Sequence, residues 1–413
     1  MVSVVHFARV KVSELMLDER PVGYISAFLA TNSSNDDPTA LARNSDLSFQ
    51  GSNIDGQGFV FSEEDESTHP VSEMHRILEV NPVSSEVIQP YLGGEELNAT
   101  PDLTPSRYVI RLGNRDLDEC EREWPELVQL VRSSVLPFRE KRADNPQSRR
   151  LKQIWWRWHT ERPSLYAAIE GRDRVLVNSQ VSSTLAFAFE PTSIVFAVTL
   201  NVFALSTYAS FCALQSRPHE IWARFFGSSM KDDLRYTPSD CFETFPFPES
   251  WKTHPALEAA GRAYYEFRAA LMIRYDQGLT KTYHHFHDPD ERDSEVVKLR
   301  ELHAVMDRAV LDAYGWSDLS PRLDFILDYE DTEDEDNPGG RDRKKPWRYR
   351  WIDEDRDEVL ARLLELNRTR AEEQAQSAAG TTAPRAAGKR GRKSSKRAPV
   401  ASPNLFEVQE PTE

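Results

Sequence analysis

The spacing of apolar residues changes near residue 250 and predicts a β-rich first part followed by a helical last part. Valine and phenylalanine dominate short apolar runs at residues 174–178, 185–189 and 195–205, which is typical of strands. Two further strands are predicted near the start, at residues 3–12 and 24–29. Most of the sheet structure is therefore expected before residue 250.

Helical spacing of apolar residues is clearest in the last part of the chain. The predicted helices cover residues 121–135, 207–214, 219–226, 255–276, 295–314 and 356–374. Proline and glycine punctuate residues 70–110, which predicts loops and short strands there. Glycines between aromatic residues at 48–61 predict hairpins, and the proline-rich segment 240–248 predicts extended backbone. The pattern as a whole indicates an α+β fold.

The chain of 413 residues is long enough for two or three globular units. Past residue 375 the composition is reduced mainly to Ala, Gly, Ser, Pro, Lys and Arg, which predicts a disordered basic tail. Within it, residues 389–393 (KRGRK) are typical either of an AT-hook in the minor groove or of a generic basic tail. Seven of the nine residues 328–336 are acidic, which predicts a solvated loop.

The net charge restricts how the chain could bind nucleic acid. Its 51 Lys and Arg residues against 67 Asp and Glu give a formal charge of -16, which excludes a protein that coats nucleic acid by charge alone. Residues 132–157 differ, with eight basic and two acidic residues that run into the aromatic cluster at 154–159. This combination favours contact with nucleic acid. The alternative is a solvated helix face followed by core tryptophans.

Compartment and membrane association follow from three negative observations. The longest apolar run, at 194–205, is too short to cross a membrane as a helix. Residues 1–9 lack the pattern of a signal peptide. Cys120, Cys212 and Cys241 are far apart, which argues against a disulfide framework and a cysteine zinc site. We expect a cytoplasmic protein without a membrane partner.

Motifs of the common catalytic centres are missing from the sequence. The Asn-Pro pairs at Asn81, Asn145 and Asn337 continue with Val, Gln and Gly, so the Asn-Pro-Pro-aromatic tetrapeptide of amino-methyltransferases is absent. A Gly-rich S-adenosylmethionine signature, a P-loop, a Gly-x-Ser-x-Gly elbow and a PD-(D/E)xK nuclease arrangement are absent as well. The sequence predicts no catalytic residue.

One histidine cluster has spacing that could suit a metal ion. His284, His285 and His287 precede Asp288, and imidazoles two residues apart beside a carboxylate can bind zinc. The alternative is a loop with capping residues. Because no distant fourth ligand is evident, the loop is favoured and no metal site is predicted.

Several sequence blocks follow one another in a characteristic order over roughly residues 1–370. The strongest is residues 234–248 (LRYTPSDCFETFPFP). Others lie at residues 81–82, 87–96, 107–110, 162–166, 174–177, 214–222, 279–283, 287–289 and 345–350. Together they resemble the C-terminal part of MmeI-like type IIG/IIL restriction–modification adenine-N6 DNA methyltransferases, and related methylases of phage-defence systems.

The resemblance implies a domain order as well as a family. Residues 1–65 would be the end of the methyltransferase domain with its connector, and residues 66–250 the target-recognition domain that binds DNA. Residues 251–375 would be a helical C-terminal domain, followed by the tail at 376–413. The catalytic domain would be missing from this chain.

The resemblance also implies a function and partners. The chain would recognise a specific double-stranded DNA sequence as the specificity portion of an adenine-N6 methyltransferase. It would act with a separately encoded catalytic polypeptide, or be a truncated gene product. No cofactor is expected in this chain, and S-adenosylmethionine would belong to the missing catalytic domain. The alternatives are a protein–protein adaptor in a defence complex and an intact enzyme whose motifs are not recognised.

A recognition domain needs side chains that reach base edges and others that hold phosphates. We place them on the 174–183 segment, near residues 231–236, and in the basic segment. The predicted DNA-contacting residues are Arg174, Asn178, Ser179, Gln180, Ser182, Lys231, Arg235, Tyr236, Arg149, Arg150 and Lys152. Each could instead be an ordinary exposed polar residue. Residues 214–216 and 242–247 are expected to pack loops onto the core.

Overall fold

The structure is a computed structural model that describes residues 15–17, 20–22, 37–230, 233–327 and 347–380. Its strands are β1 (Leu15–Leu17), β2 (Arg20–Val22), β3 (Ser48–Gln50), β4 (Val60–Phe61), β5 (Ile88–Leu92), β6 (Arg107–Ile110), β7 (Arg174–Ser179), β8 (Val181–Ser182), β9 (Ala188–Pro191), β10 (Val195–Phe196), β11 (Leu200–Phe203), β12 (Ser228–Met230), β13 (Asp233–Arg235), β14 (Leu323–Leu327) and β15 (Trp347–Trp351). Its helices are α1 (Val71–Val80), α2 (Gly94–Ala99), α3 (Leu117–Glu123), α4 (Pro125–Glu140), α5 (Pro146–Gln153), α6 (Pro163–Ile169), α7 (Tyr208–Gln215), α8 (Arg217–Phe226), α9 (Pro238–Cys241), α10 (Pro255–Tyr275), α11 (Leu279–His287), α12 (Ser294–Ala313) and α13 (Asp353–Gly380). Short 3-10 turns cover Ala42–Asn44, Gln57–Phe59 and Pro82–Glu86.

The described strands form small sheets that are joined by helices. Two sheets have four strands each, in the orders β10-β5-β6-β4 and β3-β11-β7-β9. A third has the order β12-β13-β8, and the pairs β1-β2 and β14-β15 stand alone. Sheets concentrate in the first part of the chain and long helices in the last part. The predicted α+β class is confirmed.

Two hydrophobic cores hold these elements together. The first core surrounds the β3-β11-β7-β9 sheet and continues into the C-terminal helices, through Phe203, Trp222, Tyr264 and Leu363. The second core fills the space between the β10-β5-β6-β4 sheet and helices α1, α3 and α4, and it includes the Trp158 ring. The long helices after residue 250 therefore pack on the same core as the central sheet. The domain boundaries predicted at residues 65, 250 and 375 remain predictions.

The helices predicted at 207–214, 219–226, 255–276, 295–314 and 356–374 are confirmed with shifted ends, as α7, α8, α10, α12 and α13. Strand β7 is also confirmed, whereas the runs at 185–189 and 195–205 form only the short strands β9, β10 and β11. Helix α13 continues to Gly380, so the first residues assigned to the tail are helical. The strands predicted at 3–12 and 24–29, the acidic segment and the KRGRK motif lie outside the described residues.

Three local predictions are wrong. The hairpins expected at 48–61 do not form, because β3 pairs with β11 and β4 pairs with β6. Residues 71–80 form helix α1, which begins directly after Pro70, a residue that fits the start of a helix. The helix expected at 121–135 is two helices, since Trp124 leaves helical geometry and Pro125 starts α4.

The chain divides into two units, Met1–Gln374 and Ala375–Glu413. The first unit contains both cores, and the end of α13 is the described part of the second. Within the ranges that the structure describes, no helix is long and apolar enough to cross a membrane. The three cysteines are buried and unpaired.

A buried arginine of the basic segment joins two other segments of the chain beside the second core. The Arg139 side chain is fully buried in α4, and its guanidinium donates to backbone carbonyls of two separate segments. Ile54 and Asp55 accept at 3.1 and 3.3 Å, and Trp155 and Arg157 accept at 3.2 and 2.9 Å. Burial lowers its pKa to about 10, so it stays charged at neutral pH. Arg139 is therefore a structural residue.

Replacing Arg139 tests this role. In Arg139→Met several buried carbonyls lose their donor, so we expect the free energy of unfolding to fall by about 3–5 kcal/mol. Urea unfolding followed by circular dichroism measures the change. Arg149→Met, at an exposed position of the same basic segment, serves as the control and should change stability by less than about 0.5 kcal/mol. Equal effects of the two substitutions would contradict the assignment.

Candidate nucleic-acid interface

A small three-stranded sheet brings together two segments that were predicted to contact DNA. Strand β8 pairs with β13, so that Val181 lies opposite Arg235 and Ser182 lies opposite Leu234. Strand β13 also pairs with β12, which follows α8. Residues 180–182 and Arg235 are therefore neighbours in space although they are far apart in the sequence.

Three polar side chains at the rim of this sheet, Gln180, Ser182 and Arg235, reach solvent, and we call this rim the recognition face. Because Ser182 lies opposite Leu234, its side chain and that of Arg235 leave the sheet on opposite sides. Along β13, Leu234 is buried and Arg235 is exposed, because neighbouring residues of a strand point to opposite faces. The Arg235 guanidinium and the Gln180 amide form no hydrogen bond or ion pair with any residue in the described ranges. The Ser182 hydroxyl accepts from the Thr184 N–H at 3.2 Å. The recognition face can thus offer donors and acceptors to a ligand.

Four buried polar residues next to this face form one hydrogen-bonded cluster, which we call the buried anchor: Asn178, Asn201, His219 and Tyr236. Asn201 Nδ2 donates to Oδ1 of Asn178 and to the Tyr236 carbonyl, both at 3.1 Å. The Tyr236 N–H donates to the Gln180 carbonyl at 2.8 Å, and its hydroxyl lies 3.0 Å from Nε2 of His219. The anchor thereby fixes the backbone on both sides of the recognition face.

Burial keeps the anchor uncharged. It lowers the pKa of His219 to about 3 and raises the pKa of Tyr236 well above its usual value. Both side chains are therefore neutral around neutral pH. The hydrogen bonds among these neutral groups hold their orientation, although Asn178 Nδ2, Asn201 Oδ1 and His219 Nδ1 are buried without a partner among the described residues. The anchor supplies rigidity and no charge.

Two arginines bind the turn that follows Ser182. Nη2 of Arg224 donates to the Ser183 carbonyl at 3.1 Å, and Nη2 of Arg348 donates to the same oxygen at 2.5 Å. Glu220 accepts from Arg224 at 2.8 Å. Burial opposes ionisation of Glu220, yet the nearby arginines hold its pKa below the usual value. Two arginines therefore hold the backbone of this turn, and one of them is paired with Glu220.

Four of the predicted DNA-contacting residues have partners inside the protein. Asn178 and Tyr236 belong to the buried anchor, and buried Ser179 donates to the Gly94 carbonyl at 3.1 Å. The Arg174 guanidinium stacks 3.8 Å from the centre of the Phe189 ring and donates to the Ser206 carbonyl. These contacts argue against direct DNA contact by the four side chains.

Lys231, also predicted to contact DNA, lies outside the described residues.

The remaining predicted residues lie on helix α5, beside the second core. Arg149 pairs with Asp144 at 2.7 Å and is largely exposed. Arg150 is exposed and its side chain has no bond to another described residue. Lys152 donates to the Arg142 carbonyl at 3.3 Å. Helix α5 therefore offers exposed positive charge on a different part of the fold from the recognition face.

Two tryptophans of the aromatic cluster after α5 have a different role from the one favoured. The Trp155 and Trp158 rings are buried among the residues of the second core. The partly buried Trp156 donates its indole N–H to the Arg115 carbonyl at 3.1 Å. The alternative of core tryptophans holds for Trp155 and Trp158, whereas contact of the basic segment and Trp156 with nucleic acid stays a prediction.

The scaffold predictions are confirmed. Residues 214–216 are buried at the end of α7. The buried Phe245 and Phe247 rings contact the His219 ring, and the buried Phe242 ring contacts the Phe203 ring. These aromatic side chains pack the segment after the recognition sheet onto the first core.

Sequence reasoning missed the anchor partners Asn201 and His219 and the arginines at 224 and 348. Asn201 had a detectable signal, since it interrupts an apolar strand run, and a polar residue at such a position must find a buried partner. The other three gave no signal, because their partners come from distant segments of the chain.

The histidine cluster is not a loop as predicted. His284, His285 and His287 lie in helix α11. His287 accepts from the Tyr349 N–H at 3.1 Å through Nδ1, and His285 lies 2.7 Å from Glu291. Among the residues that the structure describes, no group of three or more His, Cys, Asp or Glu side chains could hold a metal ion.

Comparison with known proteins identifies one family and a solved structure of similar fold. The family described as "MmeI, target recognition domain" matches residues 37–249. A solved structure of the type IIL restriction-modification enzyme MmeI in complex with DNA is similar in fold, with a TM-score of 0.55 and 18% sequence identity. The match covers 86% of this chain and 39% of that chain, so this protein spans about two fifths of its length. No curated protein matches.

Removing the central side chain of the anchor tests whether it supports the fold and the face. Asn201→Ala deletes two buried hydrogen bonds and leaves the Asn178 and Tyr236 oxygens short of a donor, so we expect the free energy of unfolding to fall by about 2 kcal/mol. Chemical denaturation measures the loss. Asn98→Ala, which removes a single part-buried bond, is the matched control and should cost less. An unchanged free energy of unfolding in Asn201→Ala would show that the hydrogen bonds of the anchor do not support the fold.

Proposed function

Because this chain belongs to the family of MmeI target recognition domains, we propose that it recognises a specific sequence in duplex DNA through its recognition face. The family match covers the whole of the β12-β13-β8 sheet and the buried anchor. The similar solved structure belongs to an enzyme in complex with DNA. Duplex DNA is therefore the ligand class that best suits the exposed polar side chains of this sheet.

The main observation behind the proposal is the environment of the Arg235 side chain. Its guanidinium is exposed and unpaired with the described residues, yet the next residue is locked into the buried anchor. An arginine held in this way can present two N–H donors to O6 and N7 of guanine in the major groove. Gln180 can present an amide to adenine from the neighbouring strand connection. Rigid backbone and free polar side chains together are what base reading requires.

We assign phosphate binding to helix α5. Arg149 and Arg150 are exposed, and charge-based contacts to phosphates give affinity without sequence preference. On this assignment the net charge of -16 is compatible with DNA binding, because the attraction is local.

We further propose that the chain is the specificity part of an adenine-N6 methyltransferase of a restriction–modification or phage-defence system. Among the described strands, the pairings are antiparallel except that of β5 with β10, which joins only two residue pairs. Nucleotide cofactors are typically held at the carboxyl edge of a parallel α/β sheet. The described residues therefore form no parallel sheet of the kind that typically holds such a cofactor. We assign the cofactor and methyl transfer to a separate catalytic polypeptide.

Arg235→Ala tests base reading. Loss of a bidentate base contact should weaken binding to the preferred duplex by about 10- to 100-fold and relax the preference at one or two base pairs. Fluorescence anisotropy with duplexes selected by the unaltered chain measures both effects. Arg122→Ala, an exposed arginine on α3, is the matched control and should leave affinity unchanged. Identical affinity and preference in Arg235→Ala would remove this residue from the interface.

Arg150→Ala tests phosphate binding separately. We expect affinity for the preferred and for unrelated duplexes to fall by the same factor, with the preference intact. The slope of log affinity against log salt concentration should become shallower by about 1, because one fewer phosphate is neutralised. Binding measured at four salt concentrations gives the slope. A change in base preference, or an unchanged slope, would contradict the role assigned to α5.

A further inference from the structure

A cavity away from the recognition face contains a carboxyl group that has no partner. The cavity has a volume of about 520 Å³ and lies between the loop at residues 101–105, strand β9 and helix α10. Its walls are mainly apolar and aromatic, and include Tyr108, Ile194, Tyr265 and Met272. This size, with apolar walls and few polar groups, is typical of sites for small molecules.

Glu190 is the polar group that distinguishes the cavity. It lies on strand β9, lines the cavity and is only 3% exposed. Its Oε1 is fully buried without a hydrogen-bond partner among the described residues. Burial, and then the nearby charge of Asp102, raise the pKa of Glu190 to about 8. A buried carboxyl without a partner is costly to the fold, and such groups are frequent at functional sites.

The neighbouring arginines do not neutralise Glu190. Arg268 also lines the cavity, but its guanidinium donates to the Phe187 carbonyl at 2.6 Å and to the Tyr283 hydroxyl at 3.0 Å. Arg174, on the paired strand β7, is stacked on the Phe189 ring and bound to the Ser206 carbonyl. The Glu190 carboxyl therefore receives no hydrogen bond from either arginine.

The loop on one side of the cavity is held in an unusual conformation. Leu103 has a φ of 62°, in the left-handed region that a branched side chain rarely adopts. Asp102 lies beside it, exposed, and accepts from the Thr104 N–H at 3.1 Å. Strained residues of this kind persist where the surrounding structure holds them, and they are frequent at ligand sites. The loop places a second carboxylate near Glu190.

We propose that this cavity binds a small organic cation, an ammonium group on an apolar body, with its charge at Glu190. The Asp102 carboxylate attracts a cation, and an ammonium group that displaces the Glu190 proton would pair with the resulting carboxylate. The apolar walls accommodate a hydrocarbon or aromatic body. The Tyr108 ring adds the attraction that aromatic rings have for ammonium groups, whereas the Tyr265 ring already lies 5.3 Å from the Arg268 guanidinium. A metal ion fits poorly, since the described residues offer no third ligand. DNA fits poorly too, because carboxylates repel phosphates.

The test compares two probes of equal shape by isothermal titration calorimetry on the full chain without DNA. 2-Phenylethylammonium carries the charge, and 2-phenylethanol lacks it. We expect the ammonium probe to bind at least about tenfold more tightly than the alcohol. In Glu190→Gln, which keeps the shape of the side chain and removes its charge, this difference should disappear.

Glu266→Gln, an exposed carboxylate on the same helix as Tyr265, is the matched control and should keep the full preference for the cation. The assignment is overturned if neither probe binds to the unaltered chain or if both bind equally. It is also overturned if Glu190→Gln still prefers the cation. Circular dichroism of both variants distinguishes a lost preference for the cation from a loss of folded structure.

Discussion

The recognition face depends on the hydrogen bonds of Asn201. One amide donates to Asn178 on β7 and to the carbonyl of Tyr236, which follows Arg235 directly. This ties the two segments that carry Gln180 and Arg235 to the central strand β11, inside the first core. Base readout requires side chains to be placed within a fraction of an ångström. Because the anchor is neutral and buried, it can supply that placement independently of pH and salt around neutral conditions.

In this molecule the exposed positive charges and the charges that support the fold are carried by different residues. The chain carries a net charge of -16, yet exposed arginines are available on α5 and additional arginines surround the turn after Ser182. The most buried cation of the basic segment, Arg139, binds backbone carbonyls and supports the fold. The basic segment thus contains both structural and exposed charges. Only the burial and the hydrogen-bond partners of each side chain distinguish the two kinds.

Sequence reasoning correctly predicted the fold class, the long helices after residue 250 and the strand β7, because each depends on the local spacing of apolar residues. It also named the segments 174–183 and 231–236, which carry Gln180, Ser182 and Arg235. It could not tell that Asn178 and Tyr236 face inward, since that depends on Asn201 and His219, which arrive from other elements. It assigned Trp155 and Trp158 to a surface for the same reason: their core is built by β5, β6 and α4. The cavity around Glu190 gave no sequence signal, because distant segments form its walls.

The most direct test of DNA recognition is a competition binding experiment with a pool of random duplexes at two salt concentrations, followed by sequencing of the retained DNA. If the recognition face reads bases, one motif should be enriched, and it should persist at the higher salt concentration, because base contacts outlast nonspecific phosphate contacts. Retention without a motif, lost at the higher salt concentration, would contradict sequence-specific recognition. Only the exposed basic residues would then contact DNA, and a protein–protein adaptor would be the better description of the chain.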